Sequence, residues 1–264
     1  MQELLTYEFM QRALAMAVIS GLTCGLLGVF VVLLRMSFIG ICVSHAAFAG
    51  ALIGVWLGFP PALCGFVGSV GVQVWSRRLR VSTDTVVGVI FSVMLSLSML
   101  VLGLLPGSRA EGLNFLWGNL LTASRTDLIW MGLCAVLLIG FIALFFKEIE
   151  AVISQKDAAQ ASGIPVRELT LAMMLIMGLV IAVALKAVGG VLIYALIVTP
   201  AATALQTSKS LKTMFIVSGL WGMGASVVGL FLAGLFSIPT GACVVLTATA
   251  FLVLVRLLSK GEAR

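Results

Sequence analysis

Only one histidine occurs in the 264 residues, His45, and it lies inside the apolar run "GICVSHAAFAG", residues 40–50. A neutral imidazole offers a nitrogen lone pair and is the commonest protein ligand for transition metals. Cys42 precedes His45 by three residues and Ala49 follows it by four, so the three share one helical face, with Ser44 beside it. That face could present one nitrogen, one sulfur and one hydroxyl to a passing cation. A hydrogen bond to a neighbouring helix would explain an isolated imidazole equally well, since one histidine is far from a complete metal site. In either case an ionisable group within an apolar span costs free energy and needs partners, which makes it a functional candidate.

Other chemistries lack their residues. The sequence has no second histidine for HExxH, no GxxxxGK[ST] phosphate loop and no GxSxG elbow. No nucleophile and base pair is visible, so the chain is expected not to be an enzyme. If it drives active transport, the ATP must be hydrolysed by a separate subunit. Cys24, Cys42, Cys64, Cys134 and Cys243 all fall in apolar runs without CxxC spacing and read mostly as small buried hydrophobes.

The elements that must position these residues follow from composition. The chain is 61% hydrophobic and 10% charged, with mean hydropathy +1.22, whereas an average soluble domain is about 25% charged. A spanning helix needs roughly 20 mainly apolar residues, and such runs recur from residue 13 to residue 258. The expected fold is therefore an all-α, polytopic transmembrane bundle of about eight or nine spans, a single membrane domain over residues 1–264. The expected spans are 13–34, 38–57, 61–76, 85–105, 128–146, 169–187, 190–207, 213–236 and 242–258. The first run lacks a basic flank and exceeds a signal-peptide core in length, so it is expected to stay as a span.

The net charge of +6 is spread over short loops, a pattern that sets membrane orientation and does not suit nucleic acid. With nine spans, Arg35, Arg77, Arg78, Arg80, Lys147, Lys156, Arg167, Lys209, Lys212, Arg256, Lys260 and Arg264 fall on one side. Only Arg12, Arg109, Arg125 and Lys186 of the 16 basic residues fall on the other. The positive-inside rule then places the amino terminus outside and the carboxyl terminus in the cytoplasm.

Two connections differ from the rest. Residues 106–127 contain "LNFLWGNLL", too short to cross, with Trp117 suited to the interface, and predict an external surface helix or re-entrant segment. Residues 147–168, the longest cytoplasmic segment, are rich in helix formers and end at Gly163 and Pro165. A short exposed helix there suits the docking of a soluble partner, and a merely solvated loop is the plainer alternative.

Gly21 with Gly25, and Gly50 with Gly54 and Gly58, recur at spacings of four and predict faces where helices approach closely, for packing more than for gating. Pro200, within "GGVLIYALIVTPAATALQ", removes a backbone donor and disfavours helix geometry at Thr199. It predicts either a plain kink or a broken helix whose carbonyls near Leu196 are freed inside a covered cavity.

Taken in order, these stretches resemble the permease subunits of zinc, manganese and iron ABC importers. "RMSFIGICVSHAAFAG" is similar to the family's second-span motif, and "STDTVVGVIFS" to its Asp-led fourth-span entry. "FLWGNLLTAS" resembles its external segment, "KDAAQASGIPV" its coupling helix, "VGGVLIYALIVTPAATA" its Pro-containing helix and "IPTGACVVL" its last turn.

The resemblance implies a type II ABC importer-like homodimeric permease in the cytoplasmic (inner) membrane. It also implies a cytoplasmic ABC ATPase dimer, an extracytoplasmic metal-binding protein, and a divalent metal ion as cargo, with no permanently bound cofactor. His45, Ser44 and Cys42 would line the translocation path. Asp157, Ala158, Ala161 and Gly163 would couple to the ATPase, and Thr199 and Pro200 would mark the broken helix.

Two positions depart from the family pattern: Ile41 replaces a usual acidic residue and Ala49 a frequent proline. Losing the carboxylate removes a hard ligand, so Cys42 is expected to shift the site toward a softer or borderline ion. Alternative readings are a permease for a metal chelate such as a siderophore or haem, and an ATP-independent channel or exchanger. The first needs a wider polar cavity, and the second needs intramembrane carboxylates, which the spans lack.

Overall fold

The computed structural model describes residues 7–76, 83–104, 118, 120–236 and 238–259. Among them the chain forms eleven α-helices and one 3-10 turn at Leu120–Thr122. The helices are α1 Glu8–Leu33, α2 Ser37–Leu57, α3 Pro61–Ser76, α4 Thr83–Leu104, α5 Arg125–Leu144 and α6 Phe146–Ser154. They continue with α7 Lys156–Ala161, α8 Val166–Val188, α9 Gly190–Thr207, α10 Leu211–Phe236 and α11 Thr240–Ser259. Each expected apolar run is thus a helix, with ends within a few residues of those expected. Six of them, α1, α2, α5, α8, α10 and α11, are long and apolar enough to cross a membrane, while α3, α4 and α9 contribute shorter apolar stretches. Arg77, Arg78, Arg80, Arg109, Trp117, Lys260 and Arg264, and most of the external segment, lie outside the described residues.

The outer surface explains why this fold requires a membrane. On α5, Ile129, Trp130, Leu133 and Val136 are all more than half exposed. A helix apolar on every side is stable at a surface only where the surroundings are apolar too.

The core is built by close backbone approach. α1 crosses α10 with Gly21 and Gly25 against Gly222 and Ser218, where any added Cβ would run into the facing carbonyls. The Ser218 hydroxyl donates to the Gly25 carbonyl at 2.5 Å across this contact. Gly28 makes a similar approach to the Ile197 carbonyl of α9. The small-residue face expected on α1 therefore packs on a matching face of α10, an arrangement that trades side-chain volume for backbone contact. On α2, Gly50 and Gly54 pack against Cys64 of α3, but Gly58 does not join them. Its φ of +76° makes it the left-handed cap that ends α2, with nothing within 4 Å of the position a Cβ would take.

Pro200 does not break its helix. α9 is continuous from Gly190 to Thr207 with Pro200 inside it, which corrects the broken helix expected at Thr199 and Pro200. Proline lacks one N–H, so one carbonyl, that of Leu196, loses its helical donor, and the flanking turns hold. The Thr203 hydroxyl adds a bond to the Thr199 carbonyl at 2.8 Å. The interruption falls instead at Gly189, φ +94°, the single residue joining α8 to α9. Gly118 packs against the backbone of Val188 and Gly189 at that corner.

One end of the bundle is tied by charges. Ser124 and Asp127 form a reciprocal capping box at the start of α5. Lys186, in the last turn of α8, reaches Asp127 at 2.9 Å. Glu8, opening α1, pairs with Arg125 and, at 3.5 Å, with Arg12. Arg12, Arg125 and Lys186, three of the four basic residues assigned to the outer side, thus gather at one end. Because these pairs are largely exposed and screened by solvent, they add little stability, and their value is in fixing which helix ends meet.

Candidate functional site

α2 holds the only imidazole in a nearly closed setting. His45 is 9% exposed, and its Nδ1 is buried without a hydrogen-bond partner among the described residues. The ring stands edge-on to Phe91 of α4, with centroids 4.9 Å apart and planes at 85°. At Nδ1 no neighbouring helix supplies a hydrogen bond among the described residues.

Cys42, one turn earlier, is 2% exposed and packs with Ala46, Val72 and Ile90. Phe91 of α4 packs against the same cluster. Cys42 and His45 therefore both meet α4 around Phe91. Ser44 is fully buried, and its hydroxyl donates to the Gly40 carbonyl of its own helix at 3.0 Å. Gly40 faces the Tyr194 ring of α9. The expected trio is thus only partly assembled. Among the described residues no three His, Cys, Asp or Glu side chains are placed to hold a metal ion together.

The expected coupling segment is presented to solvent. Asp157, Ala158, Ala161 and Gly163 are exposed, while Ala159, 3% exposed, anchors α7 to the bundle. α7 ends in a left-handed cap at Gly163, φ +83°, with Ile164 N–H donating to the Ala159 carbonyl at 3.1 Å and Gly163 N–H to the Gln160 carbonyl at 3.1 Å. Nothing lies within 4 Å of a Cβ at Gly163, so glycine is required there by backbone conformation alone. Beside this cap is a hollow of about 660 Å³, lined by Lys156, Gln160, Pro165, Arg167 and, from the residue preceding α2, Met36. The foot of the helix that carries His45 thus borders the same hollow as α7.

The ABC 3 transport family model matches residues 6–259. The chain belongs to that family. As a member of the ABC 3 transport family it is a multi-pass membrane protein and a transport subunit. It is 30% identical over 257 residues to the manganese transport system membrane protein MntC of Halalkalibacterium halodurans, covering 96% of this chain and 88% of that one. It is 29% identical over 252 residues to the high-affinity zinc uptake system membrane protein ZnuB of Haemophilus influenzae, covering 94% and 97%. Among solved structures, PsaBC from Streptococcus pneumoniae in complex with Fab superposes with a TM-score of 0.90 at 30% identity, covering 96% of this chain and 93% of that one. The ABC 3 fold therefore extends over almost the whole chain.

Two features of this family member escaped the sequence reading. Phe91 is 46 positions from His45, and no local spacing links them. The Asp127–Lys186 pair had one local signal, the S-x-x-D capping box at Ser124, which marks a helix start but not its distant partner.

Proposed function

We propose that this ABC 3 family chain is the permease of an ATP-driven importer that moves a divalent transition metal across the cytoplasmic membrane by alternating access. The reading rests on one observation above all. The chain's only imidazole keeps a nitrogen without a partner among the described residues, on a helix whose foot borders the hollow beside the exposed coupling helix. Manganese and zinc, named for the relatives, are the first candidates for cargo, and iron is the third. Residues 1–264 act as one membrane domain with the nine apolar helices as spans, and residues 147–168 form its coupling segment.

One imidazole is too few ligands for an ion. Two copies of the chain bring two His45 residues to a shared path, with Cys42 beside each and Ser44 turned into its own helix. Sparse ligation suits transport, because an ion held too tightly cannot leave. A cytoplasmic ATPase dimer bearing on Asp157, Ala158, Ala161 and Gly163 moves α7, and the shared hollow passes that motion to the foot of α2. An extracytoplasmic metal-binding protein supplies the ion at the end where Glu8, Arg125, Asp127 and Lys186 meet. A single missing donor at Pro200 lets α9 bend while remaining a helix.

Tagged chain purified from its native membrane is expected to bring down an ABC ATPase subunit. Purification of the chain alone, with passive metal flux, would favour the channel reading instead. Replacing Gly163 with valine forces a branched side chain into a left-handed backbone, at roughly 1–2 kcal/mol. Gly163→Val is therefore expected to uncouple ATP hydrolysis from uptake while the protein still inserts, measured as ATPase rate against metal accumulated. For Cys42→Ser, competition assays among zinc, manganese and iron are expected to show selectivity moving away from zinc, since a soft ligand gives way to a hard one. Unchanged selectivity would remove Cys42 from the path.

A further inference from the structure

A groove of about 510 Å³ opens between α3, α5 and α8, a volume typical of small-molecule sites. Its concavity comes from small residues, Ala51, Ala62 and Ala182, and its walls are apolar, among them Phe66, Trp130 and Leu179. The Asp127–Lys186 pair stands at its mouth. Asp127 lies in the first turn of α5 and Lys186 in the last turn of α8, so the mouth sits at the end of two apolar spans, where hydrocarbon gives way to the polar interface. Trp130, one turn further in and 57% exposed, fits the same boundary.

The charge offered outward at this mouth is positive. The Asp127 side chain is 19% exposed and already accepts bonds from Ser124 N–H, the Ser124 hydroxyl and Lys186. The Lys186 side chain is 53% exposed, which leaves its ammonium free to meet another acceptor. Inward, Leu175, Leu179 and Lys186 mark one stripe of α8 that spans about 16 Å at helical rise. This stripe leads from the groove to a second apolar hollow of about 730 Å³ along α3, and Phe66 lines both.

We propose that the groove is a binding site for a diacyl glycerophospholipid, with the headgroup phosphate on the Lys186 ammonium and an acyl chain lying between α3 and α8. A polar anion at the boundary joined to a long apolar tail is the chemistry that matches both ends of the groove. The lipid fills the concavity left by the three alanines and holds α3 and α5 against α8.

The test is native mass spectrometry with lipid analysis on the assembled transporter extracted in mild detergent. Wild type is expected to retain glycerophospholipid through purification. Ala62 is exposed and lines the groove, so Ala62→Trp fills the site from outside the core. It is expected to lower retention about tenfold, and Lys186→Gln up to about fivefold, the upper value of one exposed ionic contact. Wild type free of phospholipid, or equal retention in Ala62→Trp, would overturn the site. So would an oligomeric mass that changes in Ala62→Trp while its lipid content does not, since the groove would then belong to a second copy of the chain.

Discussion

Transporter carrying His45→Ala is expected to lose metal uptake by at least about 100-fold, the upper end of what losing even a supporting partner costs a metal site. The size follows from scarcity. His45 is the only histidine in the chain, and the described residues gather no second cluster of ligands that could take over. The loss is expected in transport and not in folding. The ring's Nδ1 makes no hydrogen bond among the described residues, and its one aromatic contact is edge-on to Phe91. Expression, oligomeric mass and the basal ATPase rate of the proposed complex should therefore stay near wild type while accumulation falls. His45→Gln, which keeps a polar side chain but removes the imidazole, should behave like alanine. Uptake rescued by glutamine would mean that the residue serves packing.

The second large effect is structural. Gly222→Leu is expected to destabilise the fold by about 3 kcal/mol or more, the upper range for forcing volume into a packed interior. A Cβ at Gly222 would enter the space of the Gly21 carbonyl, which is backbone and has no rotamer to adopt. Separating the helices to admit it also breaks the Ser218 to Gly25 hydrogen bond. Thermal melting of detergent-purified protein should show the loss, with Gly234→Leu on the same helix as the control, because nothing lies within 4 Å of a Cβ there. Equal melting of the two variants would show that α1 and α10 have slack at their crossing.

How much of this was legible in the sequence depends on the range of the cause. The helices were, because burying a backbone in hydrocarbon demands long apolar runs, and those runs can be read one at a time. The Gly21–Gly25 face was also legible as a periodicity, although its partners Ser218 and Gly222 were not, since they lie about 200 positions away. Pro200 left a kink and a break open: a missing donor is visible in the sequence, but the neighbouring turns that keep α9 helical are a matter of packing. Gly58 misled for the opposite reason, sharing the packing spacing while serving as a cap. At the site, His45 and Cys42 were legible by rarity and spacing, whereas Phe91 and the Lys186–Asp127 pair depend on which helices become neighbours.

The most direct measurement is metal accumulation in proteoliposomes containing this chain with the proposed ATPase partner and delivery protein, counted by elemental analysis with and without ATP. The expected result is accumulation of manganese or zinc that requires ATP and disappears in His45→Ala. Metal entry without ATP, or wild-type accumulation in the variant, would contradict it.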